Sequence, residues 1–575
     1  MSVWDRIKEH KVVQWTVAYA AAAYTLLHAM EMVSDALGWP HVIIRVLTLL
    51  LILGAPLAAT LAWYHGHRAQ HRVSGPELTI ITVLLIIAGT VLWHYGRDSG
   101  EHATAIEVAA QPHVQPAPAA AATRAPEKSI AVLPFTDMSE KKDQQYFADG
   151  IAEELLDLLA KTQGLQVTAR TSSFYFKDRQ ATIADIAKTL NVSNILQGSV
   201  RKSGSTVRVS TQLIRASDGV NLWSQSYDRD AKDVFKVQDE IATQVVSNLR
   251  LTLFEPASSA SRTANAEAYN LYLQGNYFRD RDTEASLQKA LDLFQQARDL
   301  DPNYAPAWAG IASTTMRQLA NGYIGIAEGA ELVRAAANKA IELDPTNGQA
   351  YASLGTIQMS FDYNWMGAKA TLAKGREGEP NNSILLTTSA ILARALGRND
   401  EADAYFKRAL EHDPVNLLAR RYYGRTLFQA GRLDEAERQL RQVLTMNDAQ
   451  PGVHYEIGRI LLVRGEADAA VKEFEAEKSP AWKEFGLPLG YFAQHRAPET
   501  NAAVAALLRE TTGSEFQVAE TYAYMGNPDK AFEWLDAAIV GRDPGLAWLS
   551  DDPLLKGLVG DPRYPALLRK LRMPQ

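Results

Sequence analysis

The sequence predicts a multidomain chain: N-terminal transmembrane helices, then an α/β domain, then an all-α solenoid of helical repeats. Three observations carry that expectation. An acidic residue followed by proline returns at Asp301-Pro302, Asp344-Pro345, Glu379-Pro380 and Asp413-Pro414, the last two intervals being 35 and 34 residues. A period of that size marks stacked helix–turn–helix units. Ahead of residue 97 lie three apolar runs, each long enough to cross a bilayer as a helix. Between the two regions, from Lys128, short strand-like runs alternate with amphipathic helices.

The apolar runs are residues 12–33, 41–63 and 77–95. Arg6, Lys8 and Lys11 precede the first, Arg68 and Arg72 separate the second from the third, and residues 34–40 carry no basic group. Positive charge favours the cytoplasmic side, so everything after Tyr95 is expected outside the cytoplasmic membrane of a multi-pass protein. Glu31 and Arg45 fall at similar depth and are expected to form an intramembrane ion pair, which lowers the cost of burying both charges. His65, His67 and His71 lie on a short wet loop and read as solvated interface, because a metal site needs fixed geometry and supporting partners.

At 575 residues the chain is too long for one core. Its formal charge of −7 gives no global support to nucleic-acid binding. With no cysteine, disulfides, thiolate catalysis and cysteine-ligated metal centres are excluded. The expected division is a membrane anchor at 1–97, an Ala/Pro-rich spacer at 98–127, the α/β domain at 128–256, the repeat array at 260–478, and an irregular repeat with a C-terminal helical cap at 479–575.

Within the α/β domain, strands are expected at 129–135, 165–169, 194–202, 206–215 and 220–227, and helices at 149–161, 183–190 and 234–253. Ser203-Gly204-Ser205 is a hairpin turn in which glycine supplies the positive φ. Asp149, Glu153, Glu154 and Asp157 read as a solvated helix face, and Ser172-Ser173 has no histidine in the domain to act as base. No catalytic, cofactor or metal constellation is expected. The phrases Ile130-Ala131-Val132-Leu133-Pro134-Phe135, Tyr146-Phe147-Ala148-Asp149-Gly150, Leu196-Gln197-Gly198-Ser199-Val200 and Gln238-Asp239-Glu240-Ile241 resemble the TolB-amino-terminal-like α/β domain. That resemblance implies a bacterial envelope or signalling setting, and with the sidedness above it implies an inner-membrane protein whose soluble domains are in the periplasm. Similar proteins often carry a winged helix or a nucleotide cyclase domain at the front, where this chain has apolar spans instead.

In the array, residues 390–414 are the clearest unit. Ala390, Ala402 and Ala409 let two helices approach, Leu396 and Phe406 fill the space between them, Asn399-Asp400 is expected to start the second helix, and Pro414 ends it. Gly424, Ala436, Leu440 and Val443 repeat the pattern, as do Gly458, Ala470 and Phe474. These positions resemble the tetratricopeptide repeat. A late copy is expected at Ala519, Ala531, Leu535 and Ala538, with residues 479–496 an irregular insert or a degraded repeat and the closing phrases capping the solenoid's end.

The resemblance implies that the first helix of each pair lines a concave surface. Register with Ala390, Gly424 and Gly458 sends Arg394, Arg421, Arg425, Tyr455 and Arg459 toward it. Arginine forks suit carboxylates, so one expectation is a groove for an acidic segment or chain terminus. The other is that these arginines sit on the convex face or balance Glu435, Glu437 and Glu456. The expected function is a non-enzymatic, membrane-anchored interaction scaffold whose partners are a protein or peptide and the lipid bilayer. The alternative is a sensory or regulatory membrane protein acting on a cyclase-like partner.

Overall fold

A computed structural model describes residues 125–230, 233–249, 251, 262–509 and 513–573. The three apolar runs, the Glu31–Arg45 pair, the three histidines and nearly all of the spacer lie outside the described residues. Among the described residues no helix is long and apolar enough to cross a membrane.

The α/β region holds a six-stranded sheet built from β1 (Ser129–Val132), β2 (Thr136–Asp137), β3 (Gln166–Val167), β4 (Asn194–Ser203), β5 (Thr206–Arg215) and β6 (Asn221–Asp230). The strand order is β3-β1-β4-β5-β6, with β2 also pairing to β4. β1 runs parallel to β3 and β4, and β4, β5 and β6 form an antiparallel meander. Gly204 sits at φ +60° in the first hairpin turn, as its lack of a Cβ permits. Helices α1 (Gln145–Ala160), α2 (Arg170–Phe174), α3 (Ile183–Leu190) and α4 (Val234–Asn248) complete the region, α2 being one the sequence did not suggest.

Helix pairs follow without a break: α5 (Ala266–Arg279) with α6 (Glu284–Leu300), α7 (Ala305–Ala320) with α8 (Ile326–Leu343), and α9 (Gly348–Ser360) with α10 (Trp365–Gly378). Then come α11 (Ser383–Ala395) with α12 (Asn399–His412), α13 (Leu417–Gln429) with α14 (Leu433–Met446), and α15 (Val453–Val463) with α16 (Ala467–Ala476). The recurring acidic–proline phrase is the joint between pairs. The acidic residue is the C-cap of one helix, and an asparagine three positions later (Asn347, Asn382, Asn416) accepts backbone N–H groups at the start of the next.

The turn inside each pair is made differently from the expectation. Asn399 is not the N-cap of α12; Arg398 is, with no side-chain cap bond. The turn is set by Gly397 at φ +72°, whose N–H donates to the Arg394 carbonyl while Arg398 N–H donates to the Ala393 carbonyl. This double closure satisfies the last carbonyls of α11. Gly431 and Gly465 repeat it.

Two further points concern the end of the chain. Of the two readings of residues 479–496, the helices agree with a repeat and not an insert: α17 (Pro480–Ala493) pairs with α18 (Ala497–Leu507) as a seventh unit. Pro480 occupies the first turn, where its missing N–H costs nothing, and Pro488 is buried within the helix. The last pair, α19 (Glu515–Tyr524) and α20 (Pro528–Gly541), is followed by two 3-10 turns, Pro544–Trp548 and Pro553–Leu558, and by α21 (Arg563–Lys570). Rather than capping the last repeat, this segment packs on α9, α10 and α11. One core holds Tyr351, Trp365, Leu385 and Leu392 together with Phe516, Leu546, Trp548, Leu555 and Leu571. The reason is apolar area. Leu546, Leu549, Leu555 and Leu567 leave a face too large for one helix pair to cover, and the inner face of the middle repeats buries it.

Residues 120–575 form one compact unit, because the α/β region shares its core with the first repeats. Ile151, Leu155 and Val237 pack with Tyr269, Leu273, Tyr304 and Ala307. Ser172 Oγ donates to Asp413 Oδ1 at 2.5 Å and accepts Val415 N–H at 3.0 Å, while Arg170 reaches Asp280 at 2.6 Å. The four carboxylates read as a solvated face are in part structural: Asp149 is buried against Lys177 at 2.5 Å, and Glu153 pairs with Arg170 at 3.1 Å. Burial, and then the Glu153 charge, raise Glu154 to about 7.

Candidate functional site

Positions 34 residues apart on the first helices of successive repeats fall in one column on the inner face. Arg421 and Tyr455 share such a column, and Arg425 and Arg459 share the next. These helices can lie close to their partners because the column beside them is made of small residues. At Gly458, for example, an added Cβ would stand 2.2 Å from the Phe474 ring. With Arg394 from the repeat before, all five residues singled out from the sequence are brought together.

The face they form is not an open groove. Arg394 is 2% exposed and Arg459 0%, and the chain's own C-terminal segment covers them. Arg459 lies on α15 with Glu456 one turn earlier, and its guanidinium meets Glu456 at 3.0 Å, Glu520 at 2.6 Å and Asp552 at 2.5 Å. Tyr455 donates its hydroxyl hydrogen to the other Glu520 oxygen. Arg421 and Arg425 stand 3.7 Å and 3.8 Å from Glu456. Of the partners read from the sequence, Glu456 balances three of the arginines. Glu435 and Glu437 pair elsewhere, with Arg432 and with Arg441 and Arg464.

A second layer is aromatic. The Trp548 ring lies under two guanidiniums, with Arg394 4.6 Å and Arg425 4.3 Å from its centroid, and it stacks on Tyr422 at 5.6 Å. Arg421 covers Trp482 at 4.7 Å. Such cation–π contacts are strongest where water is excluded. Backbone carbonyls complete the seat: Arg394 donates to those of Ala547 and, at 3.2 Å, Ser550, and Gln429 donates to that of Trp548 at 2.8 Å.

The electrostatics follow from burial. Desolvation raises Glu520 to about 7, with Arg459 pulling the other way and Asp552 adding to the rise. Burial, then the neighbouring Arg425, lower Arg394 to about 9, still a cation at neutral pH. For Glu456 the surrounding arginines outweigh burial, and it sits below the usual carboxylate range. Chemically, the site pairs carboxylates, clasps an indole and takes backbone carbonyls. Among the described residues no cluster of three or more histidine or carboxylate groups could hold a metal ion.

Sequence reasoning missed Glu520, Asp552, Trp548 and Gln429 as members of the site. The pairing of Glu456 with the arginines was among the alternatives read from the sequence, and with Arg459 it spans three residues of one helix. Nothing local marks Glu520 or Asp552, which reach Arg459 from 61 and 93 residues away.

Comparison with known proteins agrees with the architecture. Residues 393–444 and 425–483 match two tetratricopeptide-repeat profiles, and residues 126–244 match the second domain of HilA/YgeH-like transcriptional regulators. The helical part of this chain is a tetratricopeptide-repeat solenoid. A Rhizobium meliloti (strain 1021) protein named Putative adenylate cyclase 3 is 35% identical over 231 residues, which are 39% of this chain and 39% of that protein. Tetratricopeptide repeat protein 8 of Caenorhabditis elegans is 30% identical over 106 residues, 18% of this chain and 21% of that one. A solved structure of Pseudomonas aeruginosa pilF is 17% identical, with a TM-score of 0.30 over 38% of this chain and 96% of that chain. The chain therefore spans well under half the length of the curated relatives it matches.

Proposed function

We propose that this protein is a membrane-anchored interaction scaffold. Its repeats and α/β domain would be held outside the bacterial cytoplasmic membrane by the apolar N-terminal spans and the Ala/Pro spacer. The supporting observation is that the repeats already hold a folded segment, through its carboxylates at Arg459 and its Trp548 ring at Arg394 and Arg425, although that segment belongs to the same chain. Tetratricopeptide repeats mediate protein–protein contacts, and these side chains have the chemistry for one. The TolB-amino-terminal likeness of residues 128–256 fits an envelope setting.

A second reading is a regulatory membrane protein acting with a nucleotide cyclase-like partner. It is favoured by the similarity to the protein named Putative adenylate cyclase 3, which covers 39% of each chain. Affinity purification of the full chain from native membranes separates the two. The scaffold reading expects a protein partner retained in stoichiometric amount. A bound small molecule, or stability of the full chain that depends on purine nucleotides, would replace it with the regulatory reading.

A further inference from the structure

The C-terminal segment shares one core with α9, α10 and α11 and also covers the arginines of the neighbouring repeats. Within it α19 and α20 bury Phe516, Ala519, Ala531, Leu535 and Ala538 against one another, and Leu555, Tyr564 and Leu567 close the same core. α19 packs on α17, with Phe492 and Tyr524 meeting at 6.0 Å, and the segment reaches Arg394 of α11, Gln429 of α13 and Arg459 of α15.

What it presents there is compact. Glu520 and Asp552 grip one guanidinium, Trp548 slides beneath two others, and three carbonyls between 547 and 550 are taken by Arg394 and Gln429. A carboxylate pair, an indole and exposed main chain on a tight turn are the features by which a groove recognises a peptide.

The charge balance points to an anionic guest. The solenoid contributes Arg394, Arg421, Arg425 and Arg459 against Glu456 alone, and the C-terminal segment brings Glu520 and Asp552, with Asp551 near Arg394. Without the segment, four guanidiniums would face a single carboxylate. Even with it docked, the Nε atoms of Arg394, Arg425 and Arg459 make no hydrogen bond.

We infer that residues 513–573 are a ligand held in cis by the inner face of the repeats. The external partner of that face is then an acidic segment bearing an aromatic residue beside its carboxylates, bound by exchange with the cis ligand. This rests on the interaction-scaffold reading and names the class of partner that the scaffold takes.

The test uses a fluorescent peptide of this chain's own residues 543–561, titrated into the full chain and followed by anisotropy. Two variants weaken the cis ligand without touching the receiving arginines: Glu520→Gln with Asp552→Asn, and Trp548→Ala. The inference expects weak capture by the unaltered chain and at least tenfold tighter capture by either variant. It also expects that gain to vanish when Arg459→Met is added. Failure of the peptide to bind either variant overturns it. So does loss of the folded helical signal in both, because the segment would then be indispensable core rather than an exchangeable ligand. A partner co-purifying with the unaltered chain while the peptide fails would leave the scaffold reading standing and remove only this inference.

Discussion

Arg459 and Asp552 are 93 residues apart in sequence and 2.5 Å apart in the fold, with neither side chain exposed to solvent. The contact joins the sixth repeat to the turn that follows Trp548, so it fixes where the C-terminal segment lies. Buried charges of this kind are costly to break because the surviving partner is left without solvent or counter-charge.

Replacing Arg459 by methionine should therefore destabilise the protein by about 3–5 kcal/mol, leaving Glu456, Glu520 and Asp552 facing one another. Urea unfolding measures it. A loss below about 1 kcal/mol, the range of an exposed ion pair, would show that water reaches the cluster.

Trp548→Ala removes an indole that two guanidiniums and Tyr422 enclose. Large-to-small changes at such sites cost about 3–5 kcal/mol. The loss should be local: hydrogen exchange should quicken across α19–α21 and stay unchanged in β4 and β5. Equal quickening throughout would mean that the segment and the α/β region unfold as one.

The pH dependence of stability has a definite sign. In the folded chain burial pushes Glu520 up to about 7 from its ordinary value of 4.5. Between those values the folded chain keeps a proton that the unfolded chain has released, so this group's contribution falls as pH rises through the window. Glu154 and Asp543, raised to about 7 and about 6, act in the same direction. Glu520→Gln should flatten the profile relative to the unaltered chain, since the other two groups cancel in the difference. Identical slopes in the urea midpoint from about pH 5 to about pH 8 would contradict the assignment.

The repeat joints were legible because their chemistry is local. The acidic residue and the proline adjoin at each helix stop, whereas the asparagines that start the next helix at three joints, Asn347, Asn382 and Asn416, went unread. The inner turns were partly misread. Asn399 has the side chain of an N-cap, but Gly397 in the left-handed region had already fixed the chain's path. Pro488 hid a helix, since interior proline ordinarily ends one. The inner-face arginines were placed by register alone. Their occupant was not legible, because the pairing of α15 with residues 520 and 552 depends on how eight helix pairs curve, which no short window records.

Gly397, Gly431 and Gly465 provide a check on that local reading. Each has φ between +72° and +82° with no atom near enough to obstruct a Cβ. Substitution by alanine should cost about 1 kcal/mol at each position, the penalty of left-handed backbone rather than of crowding. At Gly458, where the Phe474 ring stands in the way, Gly458→Ala should cost more, about 1–3 kcal/mol from overpacking. Equal costs at the two kinds of site would undo the distinction between turn and close-approach glycines.

The central claim is that the C-terminal segment is seated on the inner face of the repeats through Arg459. A double-mutant cycle of Arg459→Met and Asp552→Asn in the full chain, read by urea unfolding, tests it most directly. Contact between the two side chains predicts a coupling of about 0.5–3 kcal/mol. Costs that add, with coupling near zero, would mean that the two residues do not touch and that the segment lies elsewhere.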